Sequence, residues 1–277
     1  MINFLHTFEP RAVALSITDS INIHWYGFFI VIGIVVALLI SLRLAKKHTL
    51  NQDAIFDLSF WLIIGGLLGA RIYDVLLELP FYLKTPLQIF QIWKGGLAIH
   101  GAIIAGLIIT YLCARYKKIN FWKLASIFVP GLALAQAIGR WGNYFNQEIF
   151  GQPTNLPWGI PIELANRPID YLNFQFFHPV FLYESLGCLI LGFSLVFLSS
   201  YIAYIAKDTS NENSYFYVLT VCSYLAGYSI IRFLLEFIRL DRTPLLLGLR
   251  WPQIISLLII IISALLILIY RNHENKN

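Results

Sequence analysis

The sequence predicts an all-α polytopic membrane protein, a bundle of about seven transmembrane helices. Of its 277 residues, 58% are hydrophobic and 13% are charged, whereas a soluble domain carries about 25% charged residues. Uncharged runs such as residues 28–40, 186–198 and 254–269 reach the roughly 20 residues needed to cross the hydrocarbon core once their flanks are included. Lipid is therefore the expected solvent for this apolar surface.

The predicted spans form one integral membrane domain that covers residues 1–277. The spans are expected at residues 22–42, 55–77, 95–113, 122–142, 178–206, 215–238 and 252–270. The longest connection, residues 143–177, carries several prolines among aromatic side chains. A connection of this length is more often a functional loop or a lid than an idle linker.

The distribution of Lys and Arg predicts the orientation, because cytoplasmic loops are enriched in both residues. With the N-terminus outside, the first two inside loops are short and basic. Their positive residues are Arg43, Lys46, Lys47, Arg115, Lys117, Lys118 and Lys123. We expect a periplasmic N-terminus and 143–177 loop, and a cytoplasmic C-terminus. These loops account for the net charge of +5, and no nucleic-acid partner is expected.

The unusual polar residues of the spans all fall in the outer halves of the predicted helices. They are His24, Tyr26, Arg71, Asp74, His100, Arg140, His178, Glu184, Arg232 and Glu236. A charge at the bilayer centre costs about 2.5–3.5 kcal/mol on insertion scales, so such groups normally face the bundle interior or water. The clustering predicts a polar site accessible from the outer leaflet or the periplasm.

Several of these residues also have a purely structural interpretation. Arg71 and Asp74 share a helix face and can simply pair. Arg140 can anchor a helix end at the membrane interface. His100 can be a satisfied core histidine, although the glycines that flank it permit close approach to a neighbouring helix or a ligand.

The end of span 4 carries more hydrogen-bonding side chains than packing requires. Residues 139–151 read Gly-Arg-Trp-Gly-Asn-Tyr-Phe-Asn-Gln-Glu-Ile-Phe-Gly. This segment resembles the motif of the prolipoprotein diacylglyceryl transferase family of the bacterial inner membrane, Gly-Arg-x-(Gly/Ala)-Asn-(Phe/Tyr)-x-Asn-x-Glu-x-x-Gly, at every specified position.

The resemblance extends over most of the chain. Similar segments lie at residues 24–27, 69–74, 96–101, 178–184 and 232–239. Two places depart from the family pattern. Ala102 stands where a second glycine after the histidine is usual, and Trp-Pro-Gln at residues 251–253 stands where Met-Gly-Gln is commoner. Neither departure removes a chemical group.

The resemblance implies transfer of the diacylglyceryl group of phosphatidylglycerol to the lipobox cysteine of a prolipoprotein, with release of glycerol phosphate. This reaction is the first step of bacterial lipoprotein maturation, and its partners are phosphatidylglycerol, the lipobox peptide and membrane lipid. A substitution at a saturated carbon needs no protein nucleophile. Accordingly, the sequence has no Gly-x-Ser-x-Gly elbow, no His-Glu-x-x-His and no acidic cluster with metal-ligand spacing, and no metal or cofactor is expected.

The catalytic residues predicted on this basis are His100, Arg140 and Arg232. The two arginines lie at headgroup depth and would hold the departing phosphate. His100 would either act as the base for the thiol or only orient the lipid. The predicted substrate-binding residues are Tyr26, Arg71, Asn143, Asn146, Glu148, Gly151, Glu236 and Arg239.

Two other classes of function remain open from the residues alone. A transporter often has repeated halves and a site near the midplane, whereas the polar groups here lie at one end and spans 5 to 7 do not echo spans 1 to 3. A structural scaffold would not need the polar side chains of the 139–151 segment together. Transport and lipid-transfer assays in proteoliposomes discriminate these classes.

Overall fold

The computed structural model describes residues 2–18, 21–209, 213–241 and 243–274. Its helices are α1 (Ile2–Thr7), α2 (Trp25–Lys47), α3 (Gln52–Leu77), α4 (Leu79–Lys84), α5 (Ile99–Lys117), α6 (Phe121–Phe145), α7 (Val180–Thr209), α8 (Ser214–Leu235) and α9 (Trp251–Glu274). Among the described residues, seven helices are long and apolar enough to cross a membrane, all except the short α1 and α4. The predicted all-α polytopic fold is confirmed.

Short antiparallel strand pairs, which the sequence had not indicated, accompany the bundle. They are β1 (Val13–Thr18) with β2 (Ile21–His24), β3 (Ile160–Pro161) with β4 (Phe176–Phe177), and β5 (Leu245–Leu246) with β6 (Leu249–Arg250). The order of the membrane helices places all of these pairs on the side of the bundle where α2 begins. The irregular chain that surrounds the ends of α6 and α8 therefore collects on one side.

Helix α6 lies at the centre of the bundle and packs against α2, α7 and α8. In the apolar 18-residue stretch of α6 that could span the membrane, 56% of the residues are buried. The corresponding share is 11% in α3 and in α5. Gly131 allows α6 to approach α2 closely, since a Cβ atom at this position would lie 2.7 Å from the carbonyl oxygen of Ala37. The polar end of α6 is therefore held inside the protein.

Helices α3 and α5 form a second tightly packed pair. A Cβ atom at Gly69 would lie 2.5 Å from the Ala105 side chain and 2.6 Å from the Gly101 carbonyl oxygen. Because only glycine leaves room for this approach, the Gly65-x-x-x-Gly69 spacing serves helix packing.

The predicted start of span 3 at residue 95 is wrong by four residues, because α5 begins at Ile99. Gly95 and Gly96 have φ angles of +92° and +74°, which lie outside the right-handed helical region. His100 is therefore on the first turn of α5 rather than more than a turn deep.

The 143–177 loop begins three residues later than predicted, because α6 continues to Phe145. The loop then packs on the ends of α6 and α7 through a cluster of buried side chains. The cluster contains Leu5, Tyr144, Phe150, Ile160, Ile162, Phe177 and Phe181. Gln147 joins this loop to the N-terminal segment, since its side chain donates to the Pro10 carbonyl at 2.9 Å and accepts from the Glu163 amide at 2.7 Å.

Candidate active site

A tight turn follows α6 and brings its polar side chains back toward the helix. The turn places two non-glycine residues at positive φ, Gln147 at +51° and Ile149 at +58°. Positive φ is unfavourable for a β-branched residue, and such strain concentrates at functional sites. The Glu148 amide donates to the Asn143 carbonyl oxygen at 3.0 Å, so the backbone at Glu148 folds back against the last turn of α6.

The side chains of the motif contact one another directly. Glu148 Oε1 accepts from Asn143 Nδ2 at 2.8 Å and from Asn146 Nδ2 at 3.3 Å. Asn143 Oδ1 in turn accepts from Arg140 Nη1 at 3.1 Å. Asn143 is buried, whereas Glu148 is exposed, so this group of contacts leads from the bundle interior to the surface.

A fully buried carboxylate, Glu184 of α7, joins the two predicted catalytic arginines. Its Oε1 lies 2.8 Å from Arg140 Nη2, and its Oε2 lies 3.7 Å from Arg232 Nη1. The Tyr228 hydroxyl donates to Oε1 at 2.9 Å. A buried charge is tolerated only when it is paired and hydrogen-bonded. Glu184 therefore fixes the arginines of α6 and α8 beside each other.

A second buried carboxylate, Glu236, lies just after the end of α8. Its Oε2 accepts from Arg232 Nη2 at 3.2 Å and lies 3.8 Å from Arg239 Nε. Its Oε1 lies 3.3 Å from Arg250 Nε. Arg250 also donates to the backbone carbonyls of Glu236 and Arg239, and so fixes the connection between α8 and α9.

Together these groups form an arginine–carboxylate network in which the two signs alternate. Its members are Arg140, Glu184, Arg232, Glu236, Arg239 and Arg250. The carboxylate side chains are at most 1% exposed, whereas those of the arginines are 10–22% exposed. The accessible side of the network is thus its positive side, and it is suited to an anion.

Gly151 connects the loop after α6 to the segment after α8. It forms an isolated antiparallel bridge with Arg239, and its amide donates to the His178 carbonyl at 2.9 Å. A Cβ atom here would lie 2.8 Å from the Cβ of His178 and 2.9 Å from the Ile238 carbonyl oxygen. Only glycine fits this crossing. Burial lowers the pKa of His178.

Tyr26 packs beside the network, and His100 and Arg71 lie apart from it. A Cβ atom at Gly142 would lie 2.7 Å from Tyr26 Cδ2, so the tyrosine ring rests on α6 next to the motif. The ring of His100 lies 5.8 Å from that of Tyr73 on α3. Within the described part of the chain, no hydrogen bond or ion pair joins His100 or Arg71 to the network.

The structure therefore brings most of the predicted site residues into one contact group. They are Arg140, Asn143, Asn146, Glu148, Gly151, Arg232, Glu236 and Arg239. Tyr26 packs against Gly142 of the same motif. Sequence reasoning missed the parts played by Glu184, Tyr228 and Arg250. The sequence signal for Glu184 was the presence of an ionisable residue inside span 5. Its partners could not be predicted from spacing, because they lie on other helices.

The chain is similar to known proteins over most of its length. A family profile described as prolipoprotein diacylglyceryl transferase matches residues 12–269, a range that contains the whole network. The phosphatidylglycerol–prolipoprotein diacylglyceryl transferase of Nostoc sp. is 44% identical over 92% of this chain and 87% of its own length. The protein of that name from Synechocystis sp. is 39% identical over 94% of this chain and 90% of its own length. The chain belongs to the prolipoprotein diacylglyceryl transferase family.

Proposed function

We propose that this protein transfers the diacylglyceryl group of phosphatidylglycerol to the lipobox cysteine thiol of prolipoproteins, releasing glycerol phosphate, in the bacterial inner membrane. The observation that carries the proposal is the arginine–carboxylate network of a chain that belongs to this family. Its arginines present positive charge at one end of the bundle, where a lipid headgroup would lie. A transporter or a scaffold gives no reason for this arrangement.

Arg140 and Arg232 are the residues proposed to hold the phosphate. A guanidinium group can donate two parallel hydrogen bonds to phosphate oxygens. Glu184 holds both groups from the buried side, so their positions are set before the lipid binds. Preorganised charge of this kind, in a site with little water, is typically the largest single contribution to catalysis.

The reaction is a substitution at the glyceryl carbon that bears the phosphate. The thiolate sulfur forms a bond to this carbon, and the carbon–oxygen bond to phosphate breaks with its electron pair remaining on the phosphate oxygen. A free thiol with a pKa of about 8.5 is only a few per cent ionised at pH 7, so a base is useful. His100, exposed on the first turn of α5, is the proposed proton acceptor, with lipid orientation as its alternative role.

The remaining residues are assigned to the lipid headgroup and to the support of the arginines. Asn143, Asn146 and Glu148 are proposed to bind the glycerol hydroxyls, and Tyr26 to add a hydroxyl at the same depth. Glu236 orients Arg232 through the contact described above. Gly151 and Arg239 keep the loop after α6 against the end of α8, and the 143–177 loop is proposed to cover the site on the periplasmic side.

The test is a transfer assay with the full-length protein in proteoliposomes. We expect a lipobox peptide to gain the mass of a diacylglyceryl group and glycerol phosphate to appear in equal amount. Replacing the peptide cysteine by serine, or phosphatidylglycerol by phosphatidylethanolamine, should abolish the product. Absence of transfer with both natural substrates, using protein that retains its helical content, would contradict the proposal.

A further inference from the structure

Arg71 of α3 is buried, with 7% of its surface exposed, and its side chain contacts the main chain of the segment that leads to α5. Nε donates to the Ile89 carbonyl at 2.9 Å, and Nη1 donates to the carbonyls of Gly95 and Gly96 at 2.9 and 2.8 Å. Nη2 donates to the Gln88 carbonyl. One side chain thus binds both halves of this segment.

These contacts leave little of the guanidinium group for a ligand. It has five N–H donors, and backbone carbonyls take four of them. A bidentate grip on a phosphate needs two parallel free donors, which Arg71 could supply only by releasing the segment. The contacts therefore favour a role different from the substrate binding expected from the sequence.

Two further side chains complete the arrangement, which we call the Arg71 clamp (Arg71, Asp74 and Tyr82). Asp74 Oδ2 lies 3.7 Å from Arg71 Nη1 and accepts from the Tyr82 hydroxyl at 2.8 Å. The Tyr82 ring centre lies 5.0 Å from the guanidinium carbon. The hydrogen bond to Asp74 raises the pKa of Tyr82, so the hydroxyl remains a donor. A Cβ atom at Gly96 would lie 2.6 Å from Asp74 Oδ2, so the clamp requires glycine there.

The clamped segment continues directly into the helix that carries His100. The Ala98 amide donates to the Ala70 carbonyl of α3 at 3.1 Å, and α5 begins one residue later. The His100 ring lies 5.8 Å from the Tyr73 ring of α3. Residues 70–74 of α3 therefore hold both the segment and the first turn of α5.

The segment between α4 and α5 also exposes large apolar side chains. Leu87, Phe90 and Trp93 are 75–77% exposed and lie between two membrane helices on the outer side of the bundle. Exposed apolar and aromatic side chains at this position partition into the membrane interface. Without the clamp, this partitioning would pull the segment away from α3.

We propose that Arg71 is a positioning residue: the Arg71 clamp fixes residues 86–98 against α3 and thereby sets the place of His100. The inference rests on the proposed function only in that His100 acts on the thiol or the lipid. The fixing of the segment is independent of any activity, and this separates the two tests.

The experiment compares Arg71→Lys with wild-type full-length protein in phosphatidylglycerol nanodiscs. Lysine keeps the charge, but its single ammonium group cannot span the four carbonyls. We expect amides of residues 86–98 to exchange hydrogen at least about tenfold faster, matching the removal of one or more charge-assisted hydrogen bonds. We expect kcat to fall while KM for phosphatidylglycerol stays within about twofold, because the phosphate contacts are elsewhere.

Two further variants make the comparison decisive. Arg167→Lys is the matched control, because Arg167 also donates to backbone carbonyls, those of Ile162 and Leu172, but in the 143–177 loop. It should leave the exchange of residues 86–98 unchanged. Tyr82→Phe keeps the ring and loses only the hydroxyl, so it should give a smaller change in the same direction even where Arg71→Lys folds poorly.

Unchanged exchange of residues 86–98 in folded Arg71→Lys would overturn the proposal. So would a KM for phosphatidylglycerol raised by more than about twofold, since a residue that acts only by positioning the segment should leave binding of the lipid unchanged. A wild-type protein that transfers no lipid would reject the proposed function instead, and the exchange measurement would still decide whether the clamp holds the segment.

Discussion

Replacing Arg140 by lysine distinguishes two possible roles of this residue. Its guanidinium group either holds the phosphate or only anchors a helix end at the membrane interface. In the structure Nη2 contacts Glu184 at 2.8 Å and Tyr228 at 3.3 Å, while Nη1 donates to Asn143 at 3.1 Å. A lysine Nζ can keep the ion pair with Glu184 but cannot occupy both η positions. It therefore gives up the hydrogen bond to Asn143 and the planar fork that we propose holds the phosphate.

The size of the effect follows from the hydrogen bonds that lysine cannot make. A hydrogen bond to a charged group contributes about 1.5–3 kcal/mol, and about 1.36 kcal/mol changes a rate tenfold. The Arg140 side chain is 22% exposed, so water compensates for part of this energy. We expect the initial rate of peptide lipidation to fall roughly ten- to a hundredfold in Arg140→Lys, and further in Arg140→Ala.

The assay is the initial rate at saturating phosphatidylglycerol, measured on variants with wild-type helical content and thermal stability. Arg115→Lys is the control for replacing an arginine by a lysine, because Arg115 is exposed in the last turn of α5, away from the network. The lipidation rate of this variant should equal that of the wild type. A rate close to wild type for Arg140→Lys would refute the bidentate phosphate contact and leave Arg140 as an interfacial anchor.

Three further outcomes are expected. In a cysteine-free background, Ile169→Cys, at a position 85% exposed in the 143–177 loop, should react with an impermeant thiol reagent added outside; reaction only from the cytoplasmic side would reverse the topology. That background, with all three cysteines replaced, should itself transfer lipid at a rate within about threefold of wild type, because no covalent enzyme intermediate is proposed; a folded but inactive variant would restore a cysteine nucleophile. Gly101→Ala should destabilise the protein by about 1–3 kcal/mol, since its Cβ atom meets the backbone of Gly69. Thermal unfolding measures this, with Gly66→Ala, which meets no heavy atom within 4 Å, as the control; equal stability of the two variants would contradict the packing argument.

The number of membrane helices could be predicted because the bilayer sets a fixed length of apolar chain for each crossing. The helix ends were harder to place, and span 3 shows why. Its apolar and glycine residues run from residue 95 with only His100 among them as far as residue 109, yet Gly95 and Gly96 adopt backbone angles that only the tertiary structure determines. The pairs β3–β4 and β5–β6 have the same origin, since two-residue strands carry no periodicity to detect.

The site was predicted as far as local spacing reaches. Arg232 and Glu236 are four residues apart and do pair, and the motif after span 4 brings its own polar groups together. Glu184 could not be assigned in this way, because Arg140 and Arg232 approach it from two different helices. The spacing between Arg71 and Asp74 indicated an ion pair, and the two side chains lie 3.7 Å apart. It did not predict that Arg71 also donates to four backbone carbonyls.

The central place of α6 has a consequence for the response of the protein to bilayer thickness. Hydrophobic mismatch acts on helices that touch lipid, and it tilts or shifts them. α6 is largely enclosed by its neighbours, whereas α3 and α5 are exposed along most of their length, where lipid would surround them. Shorter or longer acyl chains therefore displace the α3–α5 pair first. Because Arg140 lies on α6 and His100 on α5, membrane thickness would alter the spacing between these residues before it alters the arginine–carboxylate network.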